Sequence, residues 1–409
     1  MNALSAPTVL AHDWLNQAGG AEVVLGVLHA MMPTAPIYTT LLDTAAVPAA
    51  AGWDVRPSWL DRWPPLRRRP QALLPIYPLV WSRTRVPAST ALVVSNKSAF
   101  CHGIDAGAAV HVCYCLTPTR FVWQLDEYLT HERMPPGGRL AVRALLPALR
   151  RWDHGAAQRV DAFVAISSVV AERIRRYYGR ESTIVFPPVD VDAYSPNAER
   201  PPRRTIGEPY DLVVARLVPY KQIDLAIAAF NRLGRRLVVV GDGRDRRRLE
   251  SQAGPTITFT GRLPDDDVRS LLAGCRALIW PGIEDYGLVP VEAMASGRPV
   301  IARRAGGVLD TVVEGDGPVL PRSDPGQPGR RRRRRRRHRL GSGRHPPSRP
   351  SIRSRDLRGA ARRLPRAGPC ARQASAHHAH PPAGAGRSLR CGRRRPARTC
   401  WSASGADGG

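Results

Sequence analysis

Lysine is almost absent from this chain of 409 residues: it occurs only at Lys97 and Lys221, among 62 basic residues in all. Arginine therefore carries nearly all the positive charge, as a GC-rich gene would encode. Cysteines in pairs are scarce too. Of seven cysteines, only Cys113 and Cys115 lie close together and no CxxC occurs. That argues against a zinc site or a disulfide framework and fits a reducing cytoplasm. No apolar run approaches the roughly 18 to 20 residues of a membrane-spanning helix. The opening MNALSAPTVLAHDWL lacks a charged start, a long apolar stretch and a small-residue cleavage site, so no secretory signal is expected. Hydrophobic residues nevertheless make up 43% of the chain, enough to give two ordinary domains a core.

The charge is unevenly placed. The net charge is +28, but 25 of the 62 basic residues and three of the 34 acidic ones lie beyond residue 321. That tail holds +22 and the first 321 residues only +6. It runs GRRRRRRRRHRLGSGRHPPSRPSIRSRD and onward in Arg, Pro, Gly, Ser and Ala, a composition that cannot bury a core and is expected to be disordered. One explanation is a basic arm for nucleic acid or an anionic membrane. The favoured one is out-of-frame translation of GC-rich DNA. PRSDPGQPG can be encoded so that a one-base shift reads as a turn and a helix start, and repeated arginine codons then become an alanine-rich helix. Nucleic acid is therefore not expected as a partner, except non-specifically through the tail.

Before the tail, short β-branched runs alternate with longer amphipathic stretches. TVLAH, ALVVS, VHVCYC, DAFVAI and STIVFPP read as buried strands, with helical patterns such as AEVVLGVLHAMM and SVVAERIRRYY between them. A proline-rich passage follows, and then a second series: DLVVAR, RLVVVGDG, TITFTG, RALIWPG and PVIARR alternate with helical segments. Strands that are apolar almost throughout, alternating with helices, imply parallel sheets covered on both faces. The expected architecture is α/β, with two Rossmann-like domains facing each other across a cleft. The boundaries read as 1–186 for the first Rossmann-like domain, 187–208 for a linker, 209–321 for the second Rossmann-like domain, and 322–409 for the tail.

Chemistry concentrates in the second domain. ARLVPYKQIDLAIAAF places Arg216 and Lys221 in the loop between a strand and a helix, where an α/β sheet holds its ligands, and two cations there suit a diphosphate. VVVGDG ends a strand at Gly241 in a turn that allows close backbone approach, a weak signal alone. IEDYGLVPVEAMASGRPVIA, residues 283 to 302, sets Glu284 at a strand's end and starts a helix near Gly287, Leu288 and Val289, whose first N–H groups are unpaired. Glu292 follows on the first turns. Glu284 can accept hydrogen bonds from sugar hydroxyls, and Glu292 can reach a ribose diol.

With AGG after it, this Glu-x7-Glu stretch resembles the retaining glycosyltransferases of family 4, which have the GT-B fold. The likeness covers roughly residues 8 to 320 and is nearest the subfamily of bacterial O-antigen mannosyltransferases. It implies catalytic roles for Arg216 and Lys221, which hold the nucleotide diphosphate, and for Glu284, which contacts the donor sugar. Glu292 then contacts the ribose, and N–H groups from Gly287 to Val289 face the phosphates. Gly19 and Gly20, in HDWLNQAGGAEVVL, become a loop flanking the donor. In VHVCYCLTPTRFVW, many relatives have a histidine where this chain has Leu116, so that group must be done without or replaced. Thr117, Arg120, Asp126 and Glu127 are candidates for acceptor contact, while His12 and His102 read as structural. The implied reaction moves a hexose, mannose from GDP-mannose in the subfamily, to a glycan or lipid-linked acceptor in surface polysaccharide synthesis. No metal is required, because placed charge neutralises the leaving diphosphate. The Trp- and Arg-rich segment 59–85 suggests peripheral contact with an anionic membrane from the cytoplasmic side. Three readings compete with an active transferase: an inactive frameshifted remnant, a tail-borne nucleic-acid binder and a GT-B epimerase.

Overall fold

A computed structural model describes residues 6–68, 73–125, 136–196 and 209–312, the side chains of 68 and 136–141 excepted. All of them lie within one contiguous unit of the chain, Met1–Pro365. They form two sheets. The first is built from β1 (Thr8–His12), β2 (Ile37–Thr39), β3 (Val55–Pro57), β4 (Leu92–Lys97), β5 (Val110–Cys115), β6 (Ala162–Ala165) and β7 (Ser182–Ile184), in the order β3-β2-β1-β4-β5-β6-β7. The second is built from β8 (Asp211–Val214), β9 (Leu237–Val240), β10 (Ile257–Gly261), β11 (Leu278–Trp280) and β12 (Val300–Ala302), in the order β10-β9-β8-β11-β12. The pairings in both sheets are parallel, with Val9 opposite Val93 in one and Val213 opposite Val239 in the other.

Parallel strands need helical crossovers, and those helices cover both faces. The second sheet shows the result in its side-chain alternation. Val213, Val239, Ile279 and Ile301 pack with Ile227 and Phe230, while Leu212, Val238, Leu278 and Val300 pack with Leu271, Leu272 and Ala293. The principal helices are α1 (Gly20–Met31), α2 (Pro136–Gln158), α3 (Ser168–Tyr178), α4 (Ile223–Leu233), α5 (Asp265–Gly274) and α6 (Leu288–Ala295). Their ends follow local chemistry. The Ser167 side chain accepts from the Val170 N–H at 3.2 Å to start α3, and Gly179, at φ +64°, ends it.

Both sheets reverse strand direction of growth once, between β1 and β4 and between β8 and β11. Such switch points open a crevice beyond the carboxyl ends of the strands. The halves meet along an apolar seam in which Val24, Val170 and Leu116 of the first half pack with Tyr286, Leu288 and Val291 of the second.

The two-sheet α/β architecture matches expectation, and the differences lie in short or irregular elements. β2 and β3 have three residues each, too few to show a period, and β7 stops at Ile184 rather than running on to the prolines. α2 carries Pro147 in its interior, which masks a helix when the sequence is read. Part of the stretch read as linker is structured: Val191–Tyr194 forms a helical turn, and Tyr194 packs against the second core. Among the described residues, no helix is long and apolar enough to cross a membrane. The arginine tail and its proposed frame slip lie outside the described residues.

Candidate functional site

Leaving β8, the chain passes through Ala215, Arg216 and Leu217 into a short helical turn, Pro219–Lys221. The glycines after β9 form the bed for this loop. A Cβ on Gly241, whose φ is +127°, would meet the Ala215 carbonyl oxygen at 2.0 Å. A Cβ on Gly243 would meet that of Leu217 at 2.3 Å. The Leu217 N–H donates to the Asp242 carbonyl at 2.9 Å. Gly241 thus lies against Ala215, the residue just before Arg216. Arg216 itself reaches the other half, donating to Gln17 Oε1 at 2.7 Å and to Tyr220 Oη at 3.2 Å.

Lys221 closes the turn. Its Nζ pairs with Glu284 Oε1 and stands 5.1 Å from the Trp280 ring centre and 5.5 Å from that of Tyr220. The next residue, Gln222, is the one non-glycine with positive φ among the described residues, at +53°, and its side-chain oxygen accepts from Arg303 at 3.0 Å. Local strain of this kind persists only where the surroundings hold it. The loop leaving β11 runs against the same place: a Cβ on Gly282 would meet the Lys221 carbonyl oxygen at 2.8 Å. The AGG sequence serves the strand end from the other side. The Gly307 N–H donates to the Glu284 carbonyl at 2.8 Å, and a Cβ on Gly307 would meet that of Asp285 at 2.2 Å.

α6 begins after Gly287, at φ +91°, without a side-chain cap. The N–H groups of its first turn therefore lack helical partners. Leu288 stands at that end, and its Cδ1 would lie 3.0 Å from a Cβ on Gly20, the first residue of α1. The amino ends of two helices meet there, one from each half, with Gly19 just ahead of α1 in an extended conformation. Arg216, Lys221, Glu284, Gly20 and the Leu288–Val289 end of α6 are thus gathered at one crevice.

Glu292 has different company. It lies one turn into α6, close to Tyr194, Asp265 and Arg269, and burial lifts its carboxyl from 4.5 to about 7 against the hydrogen bond from Tyr194. The two glutamates of the motif therefore meet different partners, and at neutral pH Glu292 is divided between carboxyl and carboxylate.

Of the acceptor candidates, Thr117 is buried, and its carbonyl accepts from Lys97 Nζ at 3.3 Å. Arg120 is held by Asp285, its Nε 3.1 Å from Oδ2. Asp126 and Glu127 lie outside the described residues. Leu116 is buried in the seam between the halves. His102 is fully buried, and burial and nearby Lys97 keep it well below its ordinary value, which leaves it neutral. His12 is also buried, which lowers it, but Glu22, 3.6 Å away, together with Asp13 and the Asn96 carbonyl, leaves it raised.

Sequence reasoning missed Asp285, Arg173, Tyr220 and Gln17. Asp285 and Tyr220 sit inside the motifs already singled out. Arg173 reaches Asp285 from 112 residues away and looks like any helix-surface arginine.

Residues 197–327 match the family of glycosyl transferases group 1. A GDP-mannose-dependent monoacylated alpha-(1-6)-phosphatidylinositol monomannoside mannosyltransferase from Corynebacterium glutamicum is 29% identical over 206 residues, covering 44% of this chain and 54% of the relative. A GDP-mannose-dependent alpha-mannosyltransferase from Mycobacterium tuberculosis is 38% identical over 129 residues, covering 30% of this chain and 34% of the relative. The chain thus spans about half the length of the first relative and a third of the second. Among solved structures, Anabaena HepE in complex with UDP-glucose superposes with a TM-score of 0.53 at 18% identity, over 75% of this chain and 83% of that one. At that identity the likeness is one of fold, and the fold is GT-B.

Proposed function

We propose that this group 1 glycosyltransferase chain moves a hexose from a nucleotide diphosphate sugar to an acceptor hydroxyl, keeping the anomeric configuration. The observation that carries the reading is the convergence of Arg216, Lys221 and Glu284 on one switch point, beside the uncapped start of α6. An incoming diphosphate competes with Glu284 for Lys221, and with Gln17 for Arg216. It gains two cations and the helix-end N–H groups. Glu284, released from Lys221, is free to accept hydrogen bonds from the sugar. Charge that develops on the leaving diphosphate meets groups already in place, which is where most such rate enhancement arises. The diphosphate oxygen then takes the acceptor's proton on the same face, so neither a protein nucleophile nor a metal enters the scheme.

GDP-mannose, on which the two mannosyltransferase relatives depend, is the donor, and a glycan or lipid-linked molecule is the acceptor. Membrane contact is part of the same proposal. Trp59 and Trp63 are 46% and 52% exposed, whereas Trp81 and Tyr77 of the same segment are core residues and Arg67 is tied to Asp61 at 2.7 Å. The test is release of GDP from GDP-mannose and of UDP from UDP-glucose, in the presence of lipid extract. Absence of release for either donor, with no calorimetric binding of GDP or UDP, would refute the reading.

The charge break at residue 322 supports a companion proposal, that the residues beyond it are out of frame and this product is impaired. Equal turnover by this chain and by one with the frame restored near codon 321 would dismiss it.

A further inference from the structure

Asp285 is one point at which the first half grips the second. Its carboxylate belongs to the β11–α6 turn, and the side chain is 11% exposed. Arg120, in the short helix after Thr119, brings Nε to within 3.1 Å of Oδ2 and Nη2 to within 2.5 Å, while Arg173 of α3 pairs with Oδ1. Arg120 also stands 5.8 Å from the ring centre of Tyr220, the neighbour of Lys221. α3 makes a second bridge at its start, where the N–H and hydroxyl of Ser168 donate to Asp310 at 2.7 and 2.6 Å.

We propose that Asp285 is a positioning residue for the donor site, its double grip by Arg120 and Arg173 fixing Glu284 and the start of α6 against the acceptor half. The inference rests on the donor-site reading above. Two guanidinium groups, one on each carboxylate oxygen, hold both the position and the rotation of the side chain. The backbone is thereby fixed on either side of Asp285. Glu284 precedes it directly, and Gly287, which opens α6, follows two residues later. Gly306 and Gly307 close the other side of the same backbone. The grip comes from the half that is to present the acceptor, so it also sets the distance between acceptor and Glu284.

The test compares Arg173→Met and Arg173→Lys with the parent chain, measuring calorimetric affinity for GDP, kcat and KM with GDP-mannose, and thermal midpoint. Because a displacement near 1 Å can cost about 100-fold, Arg173→Met is expected to lower kcat by about 10- to 100-fold. GDP affinity should stay within about three-fold, since Arg216 and Lys221 are untouched, and Arg173→Lys should regain most of the kcat. A kcat within about two-fold of the parent for Arg173→Met would overturn the positioning role alone, as would parallel loss of kcat and GDP affinity without rescue by lysine. A parent chain that binds neither GDP nor UDP and turns over neither donor would overturn the donor-site reading, and the positioning role with it.

Discussion

The two halves share a topology and use their switch points in opposite ways. In the first half, the charged groups at the strand ends are occupied by the protein itself. Asp13 accepts from the N–H groups of Ser98, Ala99, Phe100 and Cys101 at 2.7, 2.6, 2.6 and 2.8 Å. Lys97 is fully buried and donates to Thr119 Oγ1 at 3.1 Å. In the second half, Lys221 and Glu284 remain 13% and 16% exposed and hold one another. A charge whose partners are backbone N–H groups cannot change them without unfolding the loop. A charge paired with another side chain can exchange that partner for a ligand. The same fold therefore makes the charges of one half a structural keystone and leaves the other half an exchangeable ion pair.

The largest test of this contrast is Asp13→Ala. Three buried N–H groups and one partly buried one would lose their acceptor, and we expect a stability loss of about 4 kcal/mol, read from urea unfolding. A loss below about 1 kcal/mol would remove the distinction between the halves. Lys221→Ala comes next. It should lower turnover by about 100- to 1,000-fold with little change in thermal midpoint, as removal of a preorganised charge does elsewhere. Near-normal turnover would take the second crevice out of the reaction.

Titration sharpens the comparison on a smaller scale. Because the folded value of Glu292 is raised to about 7, its contribution to stability is complete below about pH 4.5 and is lost as pH rises toward 7. Glu292→Gln should flatten that stretch of the pH–stability curve. Asp285 runs the other way. Burial would raise its carboxyl, but Arg120 and Arg173 together hold it below the usual range, so its contribution is present above the unfolded value and fades only as pH falls through the folded one. Replacing Arg173 with Met should bring acid sensitivity to higher pH, and an unchanged acid limb would contradict the grip. The smallest expected effect is at the surface: Trp59→Ser with Trp63→Ser should weaken sedimentation with anionic vesicles a few-fold, by about 1 kcal/mol. Unchanged sedimentation would remove the membrane contact.

Much of this was legible before any coordinates. SVVAERIRRYY is α3 residue for residue, and VHVCYC is β5, because apolar period and end chemistry coincide there. β2 and β3 escaped because three-residue strands draw their order from neighbours. At the site, Arg216, Lys221 and Glu284 were readable from residue type and position at strand ends. Their partners were not: nothing local marks Gln17 for Arg216, or Arg173 for Asp285.

By itself the sequence determined the two parallel α/β sheets, the places where loops leave their carboxyl ends, and the residue types in those loops, since periodicity and glycine are local signals. Only the tertiary structure decided which charges are already held and which stay exchangeable. That depends on side chains from distant segments meeting across a gap, and on how deeply each pair is shut away from water.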